Sequence, residues 1–119
     1  MGYDIHLNDP VTREPIHFEE KHQVHGGNMV LGGTTEAWLH ITYNYADHFR
    51  SVFGSEDGVR RIYGLTGAES IPLLKAAIFK LGDEVSLDYW EATEGNAKQA
   101  LCGLLAFAQL RPDGVWEGD

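Results

Sequence analysis

The chain has 119 residues, 43% of them hydrophobic and 11% aromatic, with 18 Asp and Glu against 9 Lys and Arg and a formal charge of −9. This is the composition of one compact domain that buries roughly two-thirds of its unfolded surface, and it excludes a disordered chain or one needing disulfides or a metal to fold. The acidic balance opposes wrapping on duplex nucleic acid and favours docking on a basic protein partner, and with no apolar run of spanning length no membrane helix or signal peptide is expected.

Tyr3, Ile5 and Leu7 alternate with Asp4, His6 and Asn8, the period-two signature of a short strand. Asp9-Pro10 opens a turn that Pro15 limits, and Ile16 and Phe18 alternating with His17 and Glu19 read as the second half of a hairpin tipped by Arg13-Glu14. Two Gly-Gly pairs, Gly26-Gly27 and Gly32-Gly33, bracket Met29 to Leu31. They read as turns around a short strand, or as a glycine-lined edge where a ligand approaches backbone. No GxGxxG or P-loop pattern occurs.

The strongest strand signal runs from Glu36 to Tyr45. Ala37, Leu39, Ile41, Tyr43 and Tyr45 should face a core, and Trp38, His40, Thr42 and Asn44 the other side. A short helix follows from near Tyr45 to Phe53, with Phe49, Val52 and Phe53 on one face and Gly54 as its stop. Val59 to Gly64 reads as one or two helical turns.

Thr66 and Glu69 have the spacing of a capping box, with Ser70 a rival cap because Pro72 fits best in a first turn. Leu73, Leu74, Ala77, Ile78 and Leu81 mark the apolar face of that helix, which Gly82 ends. Thr93 caps the last helix, Glu94 to about Leu110, whose apolar positions nearly encircle it, as expected of a central element. Gly103 inside it predicts a close contact with another element. Pro112 stops the helix, and Val115-Trp116 should tuck back onto the body. The single Cys102, in apolar surroundings, reads as a buried thiol.

The fold class expected is α+β in one domain over 1–119, strand-rich over 1–45 and helix-rich over 46–119. It comprises an antiparallel N-terminal sheet of about four strands, with three or four C-terminal helices packed on one face.

The six histidines include His6 and His17, which the hairpin would bring together with His40. No HExxH, CxxC or HxH spacing is present, so no metal or other cofactor is expected. No nucleophile, base and orienting group can be assembled from spacing, so no catalytic residue is assigned. For a small anion the better material is Arg60-Arg61 with the helix start at Thr66, because helix N-termini offer N–H groups and Arg offers bidentate hydrogen bonds. Asn96, at a second glycine-containing helix start, and Asn44, on the polar side of the long strand, complete the candidate ligand-binding set of Asn44, Arg60, Arg61, Thr66 and Asn96.

Several stretches together resemble small hypothetical proteins encoded by bacteriophages and prophages. They are Gly32 to Ala37 leading into Ile41 to Tyr45; Ile62-Tyr63-Gly64 with Thr66 to Ile71; Tyr89-Trp90 with Ala92 to Ala97; and Leu110 to Asp119. The resemblance covers most of the chain after Gly26. It transfers no catalytic residue, and it implies a bacterial cytoplasm and a non-essential or host-facing phage role. Such small proteins include counter-defence proteins that sequester nucleotide signals, so by analogy a non-catalytic protein holding a small polar or nucleotide-like ligand is the leading expectation. A protein–protein inhibitor or virion-associated accessory protein is second, and a metal-assisted hydrolase third. Ligand identity and oligomeric state stay open.

Overall fold

The computed structural model describes residues 2–22, 33–88 and 90–119. The glycine-bracketed stretch 26–32 and Tyr89 lie outside the described residues. Among the described residues ten elements follow one another: strands β1 (Gly2–Asn8), β2 (His17–His22), β3 (Thr34–Glu36) and β4 (Trp38–Thr42); a 3-10 turn Tyr43–Tyr45; helix α1 (Ala46–Phe53); a 3-10 segment Gly58–Ile62; helices α2 (Gly67–Lys80) and α3 (Glu94–Leu110); and β5 (Val115–Gly118).

The architecture is α+β, with three α-helices and two antiparallel sheets among the described residues. The four-stranded N-terminal sheet expected from the sequence is instead a three-stranded sheet, β4-β1-β5, and a two-stranded ribbon, β2-β3. The third strand of the main sheet comes from the C-terminal end, with Leu7 opposite Trp116. On the other side of β1, Asp4 pairs with His40 and His6 with Trp38.

Both edges of β1 are thus taken, which is why no long β1–β2 hairpin forms. The returning chain meets β1 at an Asn8/Pro15 bridge and through a bond from Ile16 N–H to the Leu7 carbonyl, 3.0 Å. Asp9 closes the turn, its Oδ1 accepting from Val11 and Thr12 N–H at 2.8 and 3.1 Å. Ala37 then knots three strands, donating to Ile16 at 2.7 Å and accepting from Leu7 at 2.9 Å. It divides the long strand read from the sequence into β3, which serves β2, and β4, which serves β1.

Tyr3, Ile5 and Leu7 are buried, as are Leu39, Ile41 and Trp116 across the ladder, and with Ala37 they join one cluster with residues of all three helices. Burial of this cluster is the main stabilising term. α3 is central as expected: Ala97, Ala100, Leu101, Leu104, Phe107 and Ala108 are all buried. Gly103 sits where a Cβ would come within 2.9 Å of Leu39 Cδ1, so the missing side chain lets α3 approach β4. Cys102 departs from expectation, because it is exposed. The Leu101 and Leu104 side of α3 faces the core and Cys102 lies off it.

α1 ends on Gly54 at φ 63, the left-handed stop that its position predicts. The α2 capping box forms as read, Thr66 Oγ1 accepting from Glu69 N–H at 3.1 Å and Glu69 Oε1 from Thr66 N–H at 3.0 Å. Ser70 is not a cap. It is fully buried, donates to the Gly67 carbonyl at 2.8 Å and accepts from Trp116 Nε1 at 2.7 Å. That bond pins β5 to α2. Among the described residues no helix is long and apolar enough to cross a membrane.

Candidate functional site

The predicted binding residues begin at the end of β4. Thr42 is buried, and its hydroxyl accepts from Asn44 N–H at 3.2 Å, capping the 3-10 turn that carries Tyr43 and Asn44. The strand expected to run to Tyr45 therefore stops three residues early. Tyr43 is moved to the rim of the body, and Tyr45 still reaches the core.

At the rim Tyr43 meets Tyr3 edge to face, with ring centroids 4.8 Å apart and planes at 87°. Arg60, from the 3-10 segment Gly58–Ile62, lays its guanidinium 4.9 Å from the Tyr3 ring centroid and 5.7 Å from that of Tyr43. Its Nε donates to the Asp119 main-chain oxygen at 2.9 Å, which fixes the plane of the fork. From α1, Arg50 reaches the same groove and pairs with Asp47 at 2.6 Å.

These side chains line an open groove of about 560 Å³, with Asn44 and Ala46 completing its wall. Its lining holds two guanidinium groups on a chain of charge −9, Arg50 paired with Asp47 and Arg60 bonded to the Asp119 main-chain oxygen. Burial pushes the Tyr3 phenol above its ordinary value of 10.0, and the positive charges of Arg60 and Arg50 oppose that rise. Among the described residues no histidine, cysteine or serine lines the groove. What it offers is charge-assisted hydrogen-bond donors beside aromatic faces.

The structure brings Asn44 and Arg60 together and separates the other three predicted residues from them. Arg61 is exposed and does not line the groove. Thr66 is spent on its capping box, and the first amides of α2 are filled by the chain, Gly67 N–H by the Gly114 carbonyl at 2.7 Å and Ala68 N–H by that of Pro112 at 2.9 Å. Asn96 is buried, its Oδ1 accepting from Ser86 N–H at 3.2 Å and its Nδ2 donating to the Asp88 and Glu91 carbonyls, both at 3.0 Å. It shapes the connection between α2 and α3.

That connection borders the groove. Asn44 Nδ2 donates to the Trp90 carbonyl at 2.7 Å, and His48 Nε2 lies 2.8 Å from that of Ala92. Since a carbonyl only accepts, Nε2 carries the proton. Trp90 itself remains 45% exposed. Tyr3, Tyr43 and Arg50 were not singled out from sequence. The sequence carries a signal for Arg50, three residues after Asp47 on the polar side of α1, whereas period-two alternation assigns Tyr43 to the core face.

Among the described residues the histidines do not form one cluster. His6 stacks on Trp38 with centroids 6.0 Å apart, His17 bonds Thr35 at 2.8 Å, and His40 bonds Asp4 at 2.7 Å. Among the described residues no group of three His, Cys, Asp or Glu is placed to hold a metal ion. No protein-family model, curated protein or solved structure matches the chain.

Proposed function

We propose that this chain is a small binding protein without catalysis that holds a phosphate-bearing, nucleotide-like ligand in the Tyr3–Tyr43–Arg60 groove. Its setting would be the bacterial cytoplasm, and its role to sequester a signal of host defence, in line with the phage proteins its sequence resembles. The observation that carries the reading is the Arg60 guanidinium, which lines the groove 4.9 Å from the Tyr3 ring centroid and 5.7 Å from that of Tyr43, with Nε donating to the Asp119 main-chain oxygen and Nη2 3.5 Å from the Tyr43 hydroxyl. A guanidinium so held makes bidentate bonds to phosphate with little further loss of freedom. The groove volume is that of ordinary small-molecule sites. Tyr43, partly exposed, offers a face for a base. The overall field repels anions, so affinity must come from contacts rather than steering.

The test is calorimetric titration with a panel of cyclic and linear nucleotides. Arg60→Lys keeps the charge and loses the fork, and should weaken binding about tenfold or more, the value of one charge-assisted hydrogen bond. Arg61→Lys should bind as the parent does. If no nucleotide binds, or if Arg60→Lys binds as tightly as the parent, the reading is wrong.

A further inference from the structure

The main sheet has a second face. Tyr3, Ile5 and Leu7 point into the core, so Asp4, His6 and Asn8 stand on the opposite side of β1. Ladder pairing sets Trp38 and His40 beside them from β4 and Glu117 from β5. A groove of about 380 Å³ runs over this face, lined by Asp4, His6, Asn8, Glu117, Asp119 and the Pro15 turn. Three of these residues are carboxylates, and no Lys or Arg lines it.

The polar contacts here leave acceptors in excess. Asp4 Oδ1 takes His40 Nδ1 at 2.7 Å and Trp38 Nε1 at 3.2 Å, and Oδ2 is left as an acceptor. Asn8 Nδ2 donates to Glu117 Oε2 at 2.7 Å, which fixes the orientation of the amide. Its Oδ1 has no donor, although Asn8 is only 5% exposed. An acceptor buried without a donor is rare in folded proteins and calls for an explanation. Asp119 Oδ1 accepts from Asp4 N–H at 2.9 Å, and Arg13 reaches Glu117 Oε1 only at 3.7 Å, from an exposed position. The imidazole of His6, parallel to the Trp38 indole within 11°, forms a flat platform beside these acceptors.

We propose that this face of the three-stranded sheet docks a basic peptide segment, seating an arginine side chain on Asp4, Asn8 and Glu117 beside the His6–Trp38 stack. A guanidinium has five donors and no acceptor, which matches a site with surplus acceptors. It also lies flat on aromatic surfaces. The acidity of the whole chain steers such a partner toward it. This surface is separate from the arginine groove and does not rest on the nucleotide reading.

The experiment is nitrogen-15 NMR titration of the full chain with a blocked pentapeptide containing arginine, alongside its citrulline counterpart, which keeps the shape and loses the charge. The arginine peptide should shift amides of 4–8, 38–40 and 116–118, and the citrulline peptide should not. Glu117→Gln retains an oxygen for Asn8 and should weaken binding about fivefold; Asn8→Ala should do at least as much. Glu117 is exposed, so its variant keeps the test decisive should Asn8→Ala fail to fold. The proposal falls if neither peptide shifts these amides, if both shift them equally, or if Glu117→Gln binds like the parent. It also falls if shifts spread over the whole acidic surface, or if millimolar calcium shifts these amides while the arginine peptide does not.

Discussion

Removing one hydroxyl at Ser70 should loosen the attachment of the last strand. Ser70 and Trp116 are both fully buried, and the indole N–H has the Ser70 oxygen as its acceptor at 2.7 Å. Ser70→Ala leaves that donor without a partner and without water, which costs about 1–3 kcal/mol. The second bond of the hydroxyl, to the Gly67 carbonyl, matters less, because a carbonyl in the first turn of α2 keeps its helical partner. Alanine returns up to about 0.5 kcal/mol through its better helix propensity. The net loss should be about 1–2 kcal/mol, read from urea denaturation followed by circular dichroism. Trp116→Phe removes the donor along with part of the ring. In the Ser70→Ala background that second change should cost about 1 kcal/mol less than in the parent, because there it also removes the N–H that the first change left without a partner. Additive single and double variants, or a loss below about 0.5 kcal/mol for Ser70→Ala, would refute the role given to this bond. The consequence reaches function, because β5 carries Glu117, and Asp119 just beyond it holds Arg60.

Three further outcomes are expected. Leu104→Ala should destabilise by about 2–5 kcal/mol, as truncation of a fully buried leucine does, and a loss under about 1 kcal/mol in the same assay would remove α3 from the centre of the core. Hydrogen bonds from Thr66 hold the Glu69 carboxyl below its ordinary value of 4.5, so the unfolded chain takes up that proton first. Stability should therefore fall as pH drops from about 4.5 through the lower folded value, and Glu69→Gln should show a shallower acid loss in melts across that range. Burial raises the phenols of Tyr3 and Tyr63 above 10.0, so their contribution to stability is present below that pH and lost as pH rises through the folded values. Phenolate absorbance should show late-titrating tyrosine, reduced in Tyr63→Phe.

Local signals were enough to specify the helices. The Thr66/Glu69 pair, the cap at Thr93, and the stops at Gly54 and Pro112 act within a turn or two of the chain, so the bounds of α1, α2 and α3 can be read almost residue by residue. Period-two alternation likewise placed Ile5, Leu7, Leu39 and Ile41 on one buried face. Alternation does not say which strand is the neighbour. Pairing is decided by where apolar faces can be buried together, and β1 buries more between β4 and β5 than it could beside the largely exposed β2. The candidate site depended on the same non-local choices. Arg60 was legible as a donor for an anion, yet Tyr3 and Tyr43 became its platform only because β4 lies beside β1 and the Thr42 cap turns the chain outward. Ser70, Thr66 and Asn96 carry the same polar groups as ligand-binding residues. For Thr66 the local capping box already spends the hydroxyl, whereas only the tertiary structure, by bringing Trp116 against Ser70 and Ser86, Asp88 and Glu91 against Asn96, decided that those two hold the protein together.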